Sequence, residues 1–270
     1  VTTVAVLGTG NMAGAVARRL ADADPELNLR LTTRTRVPAW AEGREHVEHR
    51  ALENDPNATA WALDGADFVI IGVKPVGVID LLTEIGPTLK DGAVVISVAA
   101  GVRLAPMRAA LPAHAGLVRT MPNTPTAIGQ GVTAVAIEED ADPAIQERAV
   151  ELLAPTGLVE ALPEAQIDAF SAVCGSGPAY AYYLVEALRA GAERVGLPAD
   201  VAARTVPAML AGSLSLLEDS GEEPTEMRRQ VTSPGGSTAE GIRTFDERNL
   251  TGLIADALEA ARVRNVELGA

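Results

Sequence analysis

Cysteine, lysine, histidine and aromatic residues are all scarce in this chain, and each scarcity narrows the field. The single cysteine, Cys174, excludes a disulfide framework and any zinc cluster built from cysteines. Histidine occurs only at His46, His49 and His114, and no metal site is expected. Lysine occurs only at Lys74 and Lys90, so nearly all of the 22 basic side chains are arginines. Long apolar runs are also missing. The longest, residues 68–73 and 93–102, are too short to span a bilayer. Positive charge is in deficit, with 36 acidic side chains setting a formal net charge of −14, which argues against binding nucleic acid or an anionic membrane. The sequence runs directly into an apolar strand with no charged, cleavable leader pattern, so a reducing, cytoplasmic location is expected.

What the chain does have is alternation. Its 270 residues, 47% hydrophobic and 21% charged, suit one large globular domain or two ordinary ones rather than a disordered chain. Apolar runs at 3–7, 28–33, 68–73, 94–98, 117–119, 132–137 and 158–161 read as strands buried on both faces. Helical stretches at 12–23, 78–85, 104–111 and 144–153 lie between them. This order predicts an α/β domain with a mainly parallel, doubly wound sheet; residues 37–63 are assigned no elements. After Pro163 the apolar residues fall at helical spacing, over 179–195, 201–217, 227–231, 237–246 and 251–268. Two domains follow: residues 1–161, α/β, and residues 162–270, all helical. Several of these helices are apolar round much of their circumference, which points to a dimer interface.

In the α/β half, five segments carry candidate chemistry. The first strand runs into Gly8-Thr9-Gly10-Asn11-Met12-Ala13 and then a helix, the G-x-G-x-x-A context of a Rossmann-like dinucleotide site. The first glycine permits the tight turn, the second lets the backbone approach a pyrophosphate, and the helix N-terminus faces the anion. At the end of the second strand, where an NAD site places a carboxylate for the ribose, the chain has Thr32-Thr33-Arg34-Thr35-Arg36. Hydroxyls and a guanidinium at Thr33, Arg34 and Thr35 suit a 2′-phosphate, so NADPH (NADP+) is preferred, with NADH as a lesser alternative. The alternative is a merely solvated loop. Val73-Lys74-Pro75 and Ser97-Val98-Ala99-Ala100-Gly101 each end a strand on the side where open α/β sheets bind ligands, although Lys74 also reads as a plain surface lysine. Met121-Pro122-Asn123-Thr124-Pro125 is a stiff loop after another strand, with Asn123 a candidate nicotinamide-side contact.

In the helical half, Tyr180 and Tyr183 share a helix face and read as core, and Cys174 reads as an inert small hydrophobe. The most specific segment is Val231-Thr232-Ser233-Pro234-Gly235-Gly236-Ser237-Thr238, immediately ahead of a helix. Its glycines, hydroxyls and unpaired helix amides can hold a carboxylate without a cationic side chain. An ordinary Ser/Thr N-cap with a glycine pair is the competing reading.

On the segments Gly8 to Met12, Val73-Lys74-Pro75, Met121 to Pro125 and Val231 to Thr238, together with Gly175-Ser176-Gly177-Pro178-Ala179-Tyr180, the chain resembles the Δ1-pyrroline-5-carboxylate reductase family over essentially its whole length. The resemblance implies hydride transfer from NADPH to the C=N bond of 1-pyrroline-5-carboxylate, giving L-proline, the last step of proline biosynthesis. It implies a homodimer with interlocked helical domains, often assembled into decamers, and substrate lying between the nicotinamide and the helical domain. Carried over residue by residue, Thr238 is the catalytic threonine whose hydroxyl hydrogen-bonds the imine nitrogen. Ser233, Gly235, Gly236 and Ser237 complete the substrate loop, with backbone at Gly236 and Ser237 holding the carboxylate. Asn57 takes the adenosine-side position. Ser237 stands where Thr or Ala is more usual.

Related readings separate on simple features. A β-hydroxyacid dehydrogenase would use a lysine from the helical domain, and no lysine follows Lys90. A deazaflavin-dependent NADP reductase would not need the loop at 231–238. A non-catalytic NADP(H)-binding regulator would have no reason to keep a carboxylate cradle, and another imine or carbonyl substrate is the remaining alternative.

Overall fold

The computed structural model describes residues 1–269. Its contacts divide the chain into two units: Val1–Ser176 together with the chain from Ala261 on, and Gly177–Ala260.

The first unit is built on an eight-stranded sheet. In chain order its elements are β1 (Thr3–Leu7), α1 (Asn11–Ala23), β2 (Asn28–Thr33), β3 (Val47–Ala51), α2 (Ala58–Leu63), β4 (Phe68–Ile71), α3 (Val78–Ile85) and β5 (Val94–Ser97). There follow α4 (Leu104–Ala109), β6 (Gly116–Met121), β7 (Gly131–Ala136), α5 (Pro143–Leu153), β8 (Gly157–Ala161) and α6 (Ile167–Phe170). The strand order is β3-β2-β1-β4-β5-β6-β7-β8, and every neighbouring pair is parallel except β6 with β7. The doubly wound, mainly parallel sheet is therefore the one the alternation predicts.

The pleat explains the composition of the central strands. Val4 and Val6 of β1 pack into a core with α1, while Ala5 and Leu7 pack into a second core with α3 and α4 on the opposite face. Helix α1 answers with Ala13, Val16, Ala17, Leu20 and Ala21 buried, a stripe at helical spacing. The chain winds outward from β1 to β3 and then returns to β4 on the other side of β1. That reversal makes the carboxyl ends of β1 and β4 the switch point of the sheet, the place where open sheets bind ligands.

Residues 37–63, assigned no elements from sequence, hold β3 and α2. Strand β3 is an edge strand with only its end residues, Val47 and Ala51, buried. The contact boundary falls after Ser176 rather than at residue 161, because the segment beyond β8 is tied back to the sheet. Arg119 of β6, only 4% exposed, donates to Glu164 (2.9 Å) and Asp168 (3.4 Å). The same Glu164 oxygen accepts from Leu104 N at the start of α4 (2.7 Å). Asn265 donates to the Asp168 carbonyl (3.0 Å), which brings the chain end into this unit. Removing the guanidinium leaves two half-buried carboxylates facing each other. Arg119→Met is expected to destabilise the unit by about 2–3 kcal/mol, measured by denaturant unfolding; a change below about 0.5 kcal/mol would show that the pairs are as weak as surface ones.

The second unit holds α7 (Gly177–Arg194), α8 (Ala199–Ser220), α9 (Pro224–Gln230) and α10 (Ser237–Glu247), with α11 (Leu250–Leu268) beginning in it. Helices α7, α9, α10 and α11 bury no residue fully, and α8 buries only Ala202 and Val206. Tyr180 and Tyr183 are 39% and 73% exposed, so the expectation of core packing fails for them within the single chain. Cys174 is half-buried, and burial pushes its thiol pKa up, as an inert thiol requires.

Candidate active site

Each unit contains a glycine-capped helix N-terminus. In the first unit, Gly8 adopts φ +82°, and a Cβ there would meet Val73 at 2.8 Å. The turn is clamped to the end of β2: Thr9 N and Thr9 Oγ1 both donate to the Thr32 carbonyl (2.8 and 3.0 Å), and Gly8 N donates to Thr32 Oγ1 (3.3 Å). Gly10 is the N-cap of α1 and makes no side-chain cap. The first intrahelical bond runs from Gly14 N to Gly10 O (2.7 Å), so the amides of Asn11, Met12 and Ala13 are left for a ligand. A Cβ on Gly10 would meet nothing nearer than 3.8 Å. Neither conformation nor packing demands that glycine, and the space beside it is open.

Gly72, just past β4, went unnoticed in the sequence. A Cβ there would lie 2.3 Å from Ala13 Cβ and 2.4 Å from Gly8 O, so it is this glycine that lets α1 and the turn close on β4. A glycine ending a buried apolar run was the available signal. Gly72→Ala is expected to destabilise the protein by about 1–3 kcal/mol, seen as a lower unfolding midpoint.

The other cofactor candidates divide by exposure. Arg34 (side chain 88% exposed), Thr35 and Asn57 are all at the surface near the ends of β2 and β3. Arg34 is 3.6 Å from Glu53, an exposed pair too weak to compete with a phosphate dianion. Thr33 is buried, and its hydroxyl donates to the Arg36 carbonyl (2.9 Å). Val73 backs the Gly8 turn, while Lys74 and Pro75 are exposed at the end of β4, Lys74 without an ion pair among the described residues. Ala99 is buried, with its N–H on Ser97 Oγ (3.3 Å), and Ala100 is exposed beside it.

Asn123, a candidate nicotinamide-side contact, uses its amide to hold its own loop. Its Oδ1 accepts from Val132 N (2.8 Å) and its Nδ2 donates to the Cys174 carbonyl (3.0 Å). It thereby fastens its loop to the π-helical turn Ser171–Gly175, where a Cβ on Gly175 would meet Met121 at 2.8 Å. A concavity of about 370 Å³ at the amino ends of the strands, lined by residues such as Asp24, Asp67 and Arg148, lies at the opposite end of the sheet from all of these.

In the second unit, Ser233 to Gly236 form a tight turn closed by Gly236 N on Ser233 O (3.0 Å), with Gly235 at φ +71° as a type II turn requires after proline. A Cβ on Gly236 would meet Ser233 Oγ at 2.5 Å. Gly236 is the N-cap of α10 and again makes no side-chain cap, so the Ser/Thr N-cap reading does not hold. Glu240 N on Gly236 O (3.3 Å) is the first intrahelical bond, which leaves the amides of Ser237, Thr238 and Ala239 free. The hydroxyls of Ser233, Ser237 and Thr238 bond no described residue, and Thr238 is exposed. Arg229 and Arg243 nearby are already paired, with Glu226 and with Glu240 and Glu247 respectively. What the loop offers is amides and hydroxyls, the chemistry of a carboxylate and a neutral or protonated nitrogen.

Two family models match different parts of the chain. Residues 3–101 match the family model described as NADP oxidoreductase, coenzyme F420-dependent, and residues 164–268 match the model for pyrroline-5-carboxylate reductase dimerisation. The pyrroline-5-carboxylate reductase of Corynebacterium melassecola is 34% identical, with 99% of each chain covered. Among solved structures, a pyrroline-5-carboxylate reductase from Coxiella burnetii superposes with a TM-score of 0.89 at 30% identity, covering 100% of this chain and 99% of that one. The Plasmodium falciparum pyrroline carboxylate reductase, solved with NADP bound, shares the fold with a TM-score of 0.83 at 22% identity, over 100% and 98% of the two chains. The chain belongs to the pyrroline-5-carboxylate reductase family.

Proposed function

We propose that the protein reduces the C=N bond of 1-pyrroline-5-carboxylate with NADPH to give L-proline, the last step of proline biosynthesis. The observation that carries this reading is the pair of glycine-capped helices, each with three free amides: one suited to a pyrophosphate, the other to a small carboxylate. NADPH fits the first: Gly10 leaves open space for it, Gly8, Thr9, Asn11 and Met12 form its turn, and Thr33, Arg34, Thr35 and Asn57 lie at the adenosine end. Val73, Lys74, Pro75, Ala99 and Ala100 line the strand ends beyond, and Asn123 holds its own loop in place. When bound, the cofactor supplies a hydride.

The chain's own residues do the rest. The amides at Gly236 and Ser237 hold the substrate carboxylate, and the Thr238 hydroxyl hydrogen-bonds the imine nitrogen. No strong acid or base stands in the loop, and none is needed, since a protonated iminium brings its proton from solution. Orientation of donor and acceptor then supplies most of the rate. The two units divide the labour, the first binding nucleotide and the second binding substrate.

The exposed helices of the second unit suit a homodimer, and the matching family model is a dimerisation model. Further assembly to a decamer in the cytoplasm is part of the same proposal. Among the described residues no helix is long and apolar enough to cross a membrane. The test is spectrophotometric: purified protein, 1-pyrroline-5-carboxylate, and NADPH or NADH in parallel. Rapid oxidation favouring NADPH is expected. Oxidation favouring NADH would keep the reductase and overturn the 2′-phosphate reading; cofactor binding with no oxidation would point to a regulator or another imine or carbonyl substrate.

A further inference from the structure

His49 belongs to none of the candidate-site segments. It sits on edge strand β3 opposite Leu31 of β2, on the same face as Val47 and Ala51. Its Nε2 is 2.7 Å from Thr33 Oγ1, and that hydroxyl donates to the Arg36 carbonyl at 2.9 Å. A hydroxyl has one proton. With that proton on the Arg36 carbonyl, the histidine must be the donor, its Nε2–H pointing at Thr33. Burial lowers the pKa of His49, so at neutral pH the ring is the neutral Nε2–H tautomer.

The result is a relay of two hydrogen bonds, from His49 through the Thr33 hydroxyl to the Arg36 carbonyl, in which each bond polarises the next. The turn from Arg34 to Arg36 has two other backbone ties, Leu52 N on Thr33 O (2.9 Å) and Glu53 N on Arg34 O (3.2 Å). Both hold its beginning. Its far end is held through Thr33, and so through His49. Arg34, Thr35 and Arg36 are otherwise exposed, and an unfastened turn of exposed residues samples many shapes.

We infer that His49 is a positioning residue for cofactor choice: by fixing Thr33 it holds the Arg34–Arg36 turn in the shape that receives a 2′-phosphate, and so favours NADPH over NADH without touching either. This rests on the proposed 2′-phosphate role of that turn.

The test measures KM and kcat with both cofactors for the intact protein and four variants. His49→Leu removes the donor, and His49→Asn is a second loss variant, its amide stopping short of Thr33. Each is expected to raise the NADPH KM about 3- to 10-fold, the range of one lost hydrogen bond, with the NADH KM and both kcat values essentially unmoved. His49→Gln keeps an N–H donor at similar reach and should recover most of the difference. Equal losses with both cofactors, no loss at all, or a Gln variant as poor as Leu would overturn the inference. Arg34→Ala separates the two levels. If it lowers the NADPH:NADH ratio while the His49 variants do not, only the inference about His49 fails. If it leaves the ratio unchanged, the 2′-phosphate reading fails and the inference falls with it.

Discussion

Thr238→Ala is expected to lower turnover by a factor of about 10 to 1,000 without abolishing it. The side chain is exposed on the first turn of α10, with its hydroxyl free, and it caps nothing. Alanine keeps the Thr238 amide and the helix, so the carboxylate cradle survives and stability barely changes. On the proposed mechanism, what disappears is one hydrogen bond between the Thr238 oxygen and the iminium N–H, which orients the C=N bond for the hydride. The loss should therefore fall on kcat, with substrate KM and NADPH binding close to those of the intact protein, and Thr238→Ser should restore much of it. Complete inactivity with cofactor binding intact would instead make Thr238 an obligatory proton donor. An unchanged kcat would remove it from the reaction.

The second large effect is on the nucleotide side. Gly10→Ala is expected to weaken NADPH binding about 10- to 100-fold, the range of one or two lost hydrogen bonds to a charged group. In the free protein the new methyl has room, with no neighbour nearer than 3.8 Å, and the backbone at φ −82° accepts any residue. The stability loss should stay near 1 kcal/mol or below, that of a poorer N-cap. Gly72→Ala is its mirror image, since its methyl collides with Ala13 and Gly8 and leaves the ligand side untouched. A cofactor titration and a thermal melt on both variants decide the matter. Tight NADPH binding by Gly10→Ala would mean that the pyrophosphate does not approach there.

Where the sequence could be read, it was because neighbouring residues answer to the same surroundings. Strand β1 is apolar from Val4 to Leu7 because both faces are covered, and α1 follows it with a regular buried stripe. The glycine turn at residues 8–13 and the loop at 231–238 are likewise local patterns. Strand β3 escaped because exposed Glu48 and Arg50 and half-buried His49, at a sheet edge, carry no apolar run. Gly72 and the tie between His49 and Thr33 escaped for another reason: their partners are far away in sequence, at residues 8 and 13 and at residue 33. Tyr180 and Tyr183 show the limit of periodicity itself, which reports that a helix has an apolar face but not what covers it. The two bonds by which the Asn123 amide holds its loop escaped for the same reason as Gly72, since their partners Val132 and Cys174 lie 9 and 51 residues away.

The central claim is hydride transfer to a cyclic imine, and an isotope tests it most directly. Purified protein is given 1-pyrroline-5-carboxylate and NADPH carrying deuterium at the transferred position of nicotinamide C4, and the product is examined by mass spectrometry and NMR. The account predicts L-proline with one deuterium, on the ring carbon that formed the C=N bond, in step with NADPH oxidised. Oxidation without labelled proline, or no oxidation while NADPH still binds, would contradict it.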